Sequence, residues 1–78
     1  MELQQFIADF AETLEIKETE TLNGETRFKD LDQWNSIACL SVIEMIGEKY
    51  KVHFNTKNLR LLNTLSEISD AIELARKH

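Results

Sequence analysis

The chain contains no proline and only two glycines, so long stretches of it can continue as helix without interruption. In the first of these stretches apolar residues recur every three or four positions, which is the period of one helix face. Acidic residues such as Asp9 stand between the apolar ones. This pattern predicts an amphipathic first helix whose apolar side is formed by Leu3, Phe6, Ile7, Phe10 and Leu14.

The helical periodicity fails over residues 17–35, where threonine, asparagine and glycine are frequent. The pair Asn23-Gly24 predicts a tight turn within this stretch. Phe28 and Leu31 interrupt its polarity, and we expect them to pin the loop to the core. A loop of this length is uncommon in so small a domain unless it has a functional role.

A second helix is predicted over Ser36–Tyr50. Asn35 precedes it and can cap its first turn by accepting a hydrogen bond from a backbone N–H. Cys39 falls on the core side of this helix, which favours a buried small apolar residue over a reactive thiol. The full core-facing stripe, at helical spacing, is Cys39, Val42, Ile43, Ile46 and Tyr50.

Two further helices are predicted near the C-terminus. Residues 56–62 favour a short helical turn, because Leu59 and Leu62 are three positions apart. Thr64 and Glu67 have the spacing of a capping box, which begins a last helix ending near Lys77 and His78. The apolar face of that helix is predicted to be Leu65, Ile68, Ile72 and Ala75.

These elements predict an all-α fold in one domain spanning residues 1–78. Three main helices and one short helix should form a small bundle, with a long loop after the first helix. A chain of this length buries only about 60% of the surface that it exposes when unfolded, so a large catalytic cleft is not expected.

The balance of acidic and basic residues indicates which classes of macromolecule the protein can bind. Fourteen acidic residues against nine basic ones give a net charge of −5, which argues against nucleic acid and favours basic proteins. The single cysteine forms no internal disulfide, which suits a reducing compartment. The sequence has neither a signal-peptide pattern nor an apolar run of about 18 residues, the length of a membrane span. We therefore expect a cytoplasmic monomer.

Over nearly its whole length the chain resembles an acyl carrier protein. The resemblance is carried by the helix order, by the long loop containing "TRFKDL", and by the serine that opens the second helix in "WNSIACLSVIEMI". It implies that a phosphopantetheinyl transferase attaches 4′-phosphopantetheine to the Ser36 hydroxyl as a phosphodiester. The family usually has Asp where this chain has Asn35, so a negative charge that the transferase could recognise is missing. Trp34 likewise stands where small residues are common.

The position of Ser36 supports attachment on physical grounds as well. A helix N-terminus presents unpaired N–H groups and about half a positive charge, which stabilise an attached phosphodiester. The alternative is an ordinary capping serine or a surface serine. Ser36 is not surrounded by a G-x-S-x-G motif, and His53 has no evident catalytic partner, so a hydrolase is not expected. The resemblance implies a carrier that is not itself an enzyme.

A second stripe lies opposite the core side of the second helix, and it contains Ile37, Leu40, Ser41, Glu44 and Glu48. Such a stripe is either a solvated face or a docking surface. The resemblance implies docking, in which Ile37, Leu40 and the two glutamates contact acyl-loading and acyl-transfer enzymes and Asn35 contacts the transferase. Gly47 replaces an acid common in the family, which leaves this face less acidic.

Two functions remain open at this point. The first is a carrier that presents acyl groups, whether from fatty acid or polyketide biosynthesis or of another kind, to successive enzymes. The second is a helical interaction module with the same fold and no prosthetic group, which Asn35 favours. A calcium site is not expected, because the loop that begins at Asp30 has Trp34 at its fifth position and Ser41 at its twelfth.

Overall fold

The computed structural model describes residues 2–77, and within them it contains helices and no strand. Two short 3-10 turns, Thr19–Thr21 and Phe28–Asp30, lie in the loop that follows the first helix. The prediction of an all-α bundle with three longer helices and one short helix is confirmed. The four α-helices are α1 (Leu3–Thr13), α2 (Ser36–Tyr50), α3 (Thr56–Arg60) and α4 (Leu65–Arg76).

Side-chain caps fix where three of the helices begin. Thr64 and Glu67 form the predicted capping box of α4, in which the Glu67 N–H donates to the Thr64 hydroxyl over 3.2 Å. Asn55 and Asn58 form a second capping box at α3, which the sequence analysis did not identify. At its C-terminal end α2 stops at Lys51, whose φ of 60° lies in the left-handed region.

The core draws on all four helices and on the loop after α1. The ring of Phe10 on α1 lies tilted beside the ring of Phe6 with the centroids 6.2 Å apart, and it meets the ring of Phe28 edge-on at 6.5 Å. Phe28 therefore attaches the loop to the core, as predicted. Leu31 is half-buried and also packs against the core. The largest fully buried side chains are Phe6, Phe10, Phe28, Val42, Ile46, Leu59, Leu65, Ile68 and Ile72.

The loop is also fastened to the start of α4 by its backbone. The Ser66 N–H donates to the Gly24 carbonyl over 2.8 Å, and the Leu65 N–H donates to the Thr26 carbonyl over 3.1 Å. A Cβ atom on Gly24 would lie 2.9 Å from the Leu3 side chain, so glycine permits this close approach. The tight turn predicted at Asn23-Gly24 is confirmed, because the Thr26 N–H donates to the Asn23 carbonyl.

The buried face of α2 differs from the predicted stripe. Ala38 and Met45 are buried, whereas Cys39 and Ile43 are only half-buried. The prediction of a buried Cys39 was therefore too strong. The reason is that apolar residues surround most of the helix, so that spacing alone does not define one face, and contacts with α1, α3 and α4 select it.

Two further positions, Asp9 and Ala75, lie in a different environment from the one predicted. Asp9, which the pattern grouped with the polar residues of α1, is only 8% exposed. On α4 the predicted core residue Ala75 is exposed, while Ser69 is buried. Lys77 follows the last turn of α4 as expected, and His78 lies outside the described residues. None of the helices described here has the length and apolar character needed to cross a membrane.

Candidate functional site

Ser36 is the first residue of α2, and its side chain is exposed. The cap of the helix is supplied by the preceding residue: the Asn35 Oδ1 accepts a hydrogen bond from the Ala38 N–H over 2.8 Å. The Asn35 carbonyl also accepts the hydrogen bond of the Cys39 N–H over 2.9 Å. The predicted cap is thus confirmed, and the Ser36 hydroxyl is not the group that performs it.

The backbone leading into Ser36 is anchored by Trp34. Its indole ring stacks on Phe10 with the planes 13° apart and meets Phe28 edge-on with the centroids 4.9 Å apart. Aromatic pairs in these geometries contribute about 0.5–1.5 kcal/mol beyond the area that they bury. Trp34, which stands where acyl carrier proteins commonly have a small residue, therefore attaches the start of α2 to the core.

An open groove of about 490 Å³ lies beside Ser36. It is bounded by the first turn of α2, by α3 and by the 3-10 turn that contains Lys29. Leu40 and Leu59 give it apolar surface, whereas Lys29 and Arg60 bring two cations to its edge. The lining residues are Lys29, Trp34, Asn35, Ser36, Cys39, Leu40, Thr56, Leu59 and Arg60.

Lys29 is held in the groove by a long-range contact. Its Nζ donates to the Arg60 carbonyl over 2.6 Å, and the same Nζ lies 5.7 Å from the centre of the Phe28 ring. Neither cation was predicted from the sequence to be a site residue. Lys29 stands in the "TRFKDL" string, but Arg60 is 31 positions away and only the packing of α3 brings it close.

Cys39 lies one turn below Ser36 in the same groove. Burial raises the pKa of the Cys39 thiol, and the positive charge of Arg60 offsets only part of that rise. A thiol with a raised pKa stays protonated near neutral pH and is a poor nucleophile. The interpretation of Cys39 as unreactive therefore holds, although the residue is less buried than expected.

The outward stripe of α2 is exposed except at Ser41, which is half-buried. Ile37 is 76% and Leu40 is 55% exposed, and Glu44 and Glu48 are also exposed. Leu40 joins the stripe to the groove, since it lines both. Four of the five predicted partner-binding residues therefore share one face, and Asn35 lies at its N-terminal end.

Basic residues lie beside the acidic part of this stripe. Glu44 and Glu48 border a shallow hollow together with Lys51 and His53. His53 follows the end of α2 and borders this hollow beside Glu44 and Glu48, which lie about 12 Å and 18 Å along the helix axis from Ser36 at 1.5 Å per residue. Over residues 2–77, no histidine lines the groove beside Ser36.

A buried polar cluster lies at the opposite end of α2. The Tyr50 hydroxyl donates to the Asp9 carboxylate, and the Lys49 Nζ lies 3.1 Å from the same group. Burial by itself raises the pKa of Asp9, but the hydrogen bonds from Tyr50, Lys49 and Gln5 outweigh it, so this pKa lies below its ordinary value. The pKa of Tyr50 is raised by burial and by its bond to Asp9.

Comparisons with protein-family models, with curated proteins and with solved structures found no match to this chain.

Proposed function

We propose that this protein is a carrier of acyl groups in the cytoplasm, with 4′-phosphopantetheine attached to the Ser36 hydroxyl. One observation carries the proposal. Ser36 is exposed at the first position of α2, and Asn35 already performs the cap that would otherwise explain a serine there. The hydroxyl is therefore available for phosphodiester formation in the folded protein.

The surroundings of Ser36 suit a phosphodiester anion. The first N–H groups of α2 carry the positive end of the helix dipole, which favours a negative group on the first residue. The Trp34 contacts with Phe10 and Phe28 hold this end of the helix in place. The protein supplies position and charge, and the prosthetic group supplies a terminal thiol that forms thioesters.

The exposed stripe of α2 would serve as the docking surface for the transferase and for acyl-loading and acyl-transfer enzymes. Ile37 and Leu40 offer apolar contact, and Glu44 and Glu48 attract basic patches. A tethered acyl group reaches each docked active site at high effective concentration, so the carrier itself needs no catalytic residue. Fatty acyl, polyketide and aminoacyl groups are all compatible with this arrangement.

The test is the intact mass of the protein after incubation with coenzyme A and a broad-specificity phosphopantetheinyl transferase. We expect the wild type to gain one phosphopantetheinyl group and Ser36→Ala to gain none. Ser66→Ala is the matched control, because Ser66 also lies in the first turn of a helix, on α4 and outside both the groove and the outward stripe of α2, and it should be modified like the wild type. A wild type whose mass stays unchanged with several active transferases would refute the carrier function.

The second candidate is an interaction module that is never modified. It is favoured by Asn35, which lacks the charge of the usual Asp, and by Ile37 and Leu40, whose exposure needs no prosthetic group to be useful. An unchanged mass combined with specific binding of a basic protein, lost in Ile37→Ala, is the result expected for this function.

A further inference from the structure

The groove beside Ser36 is lined by basic residues, although the chain as a whole is acidic. The protein has a net charge of −5, yet two of its nine basic residues, Lys29 and Arg60, line the cavity that opens next to the hydroxyl. We infer that Lys29 and Arg60 bind the phosphate of the 4′-phosphopantetheine group, and that the groove holds the adjoining part of its chain. This inference deepens the proposed carrier function and rests on it.

The Lys29 ammonium is positioned before any ligand binds. Its Nζ donates one hydrogen bond to the Arg60 carbonyl over 2.6 Å, which leaves two N–H donors. The neighbouring carboxylate of Asp30 is directed to Arg27 instead, at 3.5 Å. Lys29 is therefore held near Ser36 by a neutral acceptor that does not cancel its charge.

Arg60 adds a second cation of different geometry. It is the last residue of α3 and lines the groove from the side opposite Ser36's own helix. Arg60 lines the same groove as Ser36 and as the half-buried Cys39, which follows Ser36 by one turn of α2. A guanidinium can donate two parallel hydrogen bonds to a phosphate, and such bonds are stronger than those between neutral groups.

The remaining walls suit the chain that follows the phosphate. Trp34, Leu40 and Leu59 offer apolar surface, and Thr56 offers a hydroxyl for an amide. The volume of about 490 Å³ lies within the usual range for small-molecule sites, roughly 300–1,000 Å³. The groove thus has an anion-binding edge followed by an apolar wall. Phosphopantetheine has the matching order, with its phosphate followed by its apolar chain.

The experiment separates this inference from attachment by using Ser36→Ala, which cannot be modified but keeps every charged residue of the groove. Free 4′-phosphopantetheine is titrated into this protein, and the indole N–H of Trp34 is followed by NMR, since it is the single tryptophan. We expect a saturable shift of that signal. Adding Lys29→Gln and Arg60→Gln should weaken the binding roughly tenfold or more, the loss expected for hydrogen bonds between charged groups.

The matched control is Lys57→Gln in the Ser36→Ala background. It removes a cation from the same short helix, but Lys57 does not line the groove, so the affinity should stay unchanged. The inference is overturned if Trp34 does not respond, or if the loss of Lys29 and Arg60 affects binding no more than the loss of Lys57. Neither result depends on whether a transferase accepts Ser36, so failure here and failure of the carrier function are distinguishable.

Discussion

The two ends of α2 are built in opposite ways. At its C-terminal end, the buried Tyr50 hydroxyl and the exposed Lys49 ammonium both bind the buried carboxylate of Asp9 on α1. At its N-terminal end, Ser36 is exposed beside an open groove. One helix therefore has an end fastened to its neighbour and an end at which a side chain stays accessible.

The residues that stabilise the position of α2 are therefore different from those that would take part in modification. The closed end ties α1 to α2 through the hydrogen bond that the buried Tyr50 hydroxyl donates to Asp9, and a buried polar group that loses its partner is costly. The open end keeps its place through Trp34, which packs on Phe10 and Phe28 without enclosing Ser36. Changes at the closed end should therefore alter stability, and changes at the open end should alter modification.

Replacement of Asp9 by Ala tests the closed end and should have the largest effect. It leaves the buried Tyr50 hydroxyl without its acceptor, which should lower the free energy of unfolding by about 2 kcal/mol. Urea denaturation followed by Trp34 fluorescence measures the change. Asp9→Asn, which keeps an oxygen acceptor, should lose less. If Asp9→Ala is as stable as the wild type, the cluster does not fasten α1 to α2.

The pH dependence of stability should show a smaller effect of the same cluster. The pKa of Asp9 lies below its ordinary value of 3.8 in the folded protein, so its contribution is present above that pH and is lost as the pH falls through the folded-state pKa. The pKa of Tyr50 is raised, so its contribution is present below pH 10.0 and is lost as the pH rises further.

Denaturation curves collected from about pH 7 down to about pH 3 measure the acid side of this profile. We expect Asp9→Asn to fall less steeply than the wild type over the acid range, because it has no carboxylate to protonate. If the free energy of unfolding falls equally steeply with decreasing pH in the two proteins, another carboxylate controls the acid transition.

At the open end, Asn35→Ala should cost about 1 kcal/mol of stability, because the Ala38 N–H loses its capping acceptor. Asn35→Asp keeps the cap and restores the charge that is usual in acyl carrier proteins. If the transferase recognises that charge, this variant should be modified faster than the wild type at unchanged stability. Equal rates would show that Asn35 is neutral and would remove the main support for the unmodified interaction module.

The outward stripe should show the smallest effect on stability. Replacing Glu44 and Glu48 by Lys should change the free energy of unfolding by no more than about 0.5 kcal/mol, since both residues are exposed. Modification and acyl transfer should nevertheless slow through the association rate. The defect should fade with salt, as the Debye length shortens from about 10 Å at 0.1 M to about 3 Å at 1 M.

Two variants make this result specific to the stripe. Lysine at the exposed Glu18 and Glu20 gives the same change in net charge away from α2 and should transfer normally. Ile37→Ala should instead raise the dissociation rate and keep its defect in high salt, because it removes apolar contact. Normal transfer by both the Ile37 variant and the glutamate variant would identify the stripe as a solvated face.

The parts of this fold that were predictable from sequence are those governed by neighbouring residues. The limits of α2, the cap at Asn35 and the capping box of Thr64 and Glu67 each depend on groups within four positions. The exposure of Ile37 and Leu40 followed from the same helical period. Local periodicity and capping chemistry were sufficient for all of these.

The parts that were missed depend on contacts distant in sequence. Asp9 is 41 positions from the Tyr50 hydroxyl that binds it, so nothing near Asp9 indicates that it is buried. Lys29 and Arg60 meet across 31 positions through the packing of α3. The buried face of α2 was misassigned at Cys39 because apolar residues surround the helix and only its neighbours select a face.

The most direct test of the account is to locate the added group in protein treated with coenzyme A and a phosphopantetheinyl transferase. Peptides from the treated protein are fragmented by tandem mass spectrometry. We predict that the added mass lies on Ser36 and that the pantetheine part is released from that peptide on fragmentation. Addition at another residue, or no addition to a protein that is folded and accessible to several transferases, would contradict the assignment of Ser36 as the working residue of this fold.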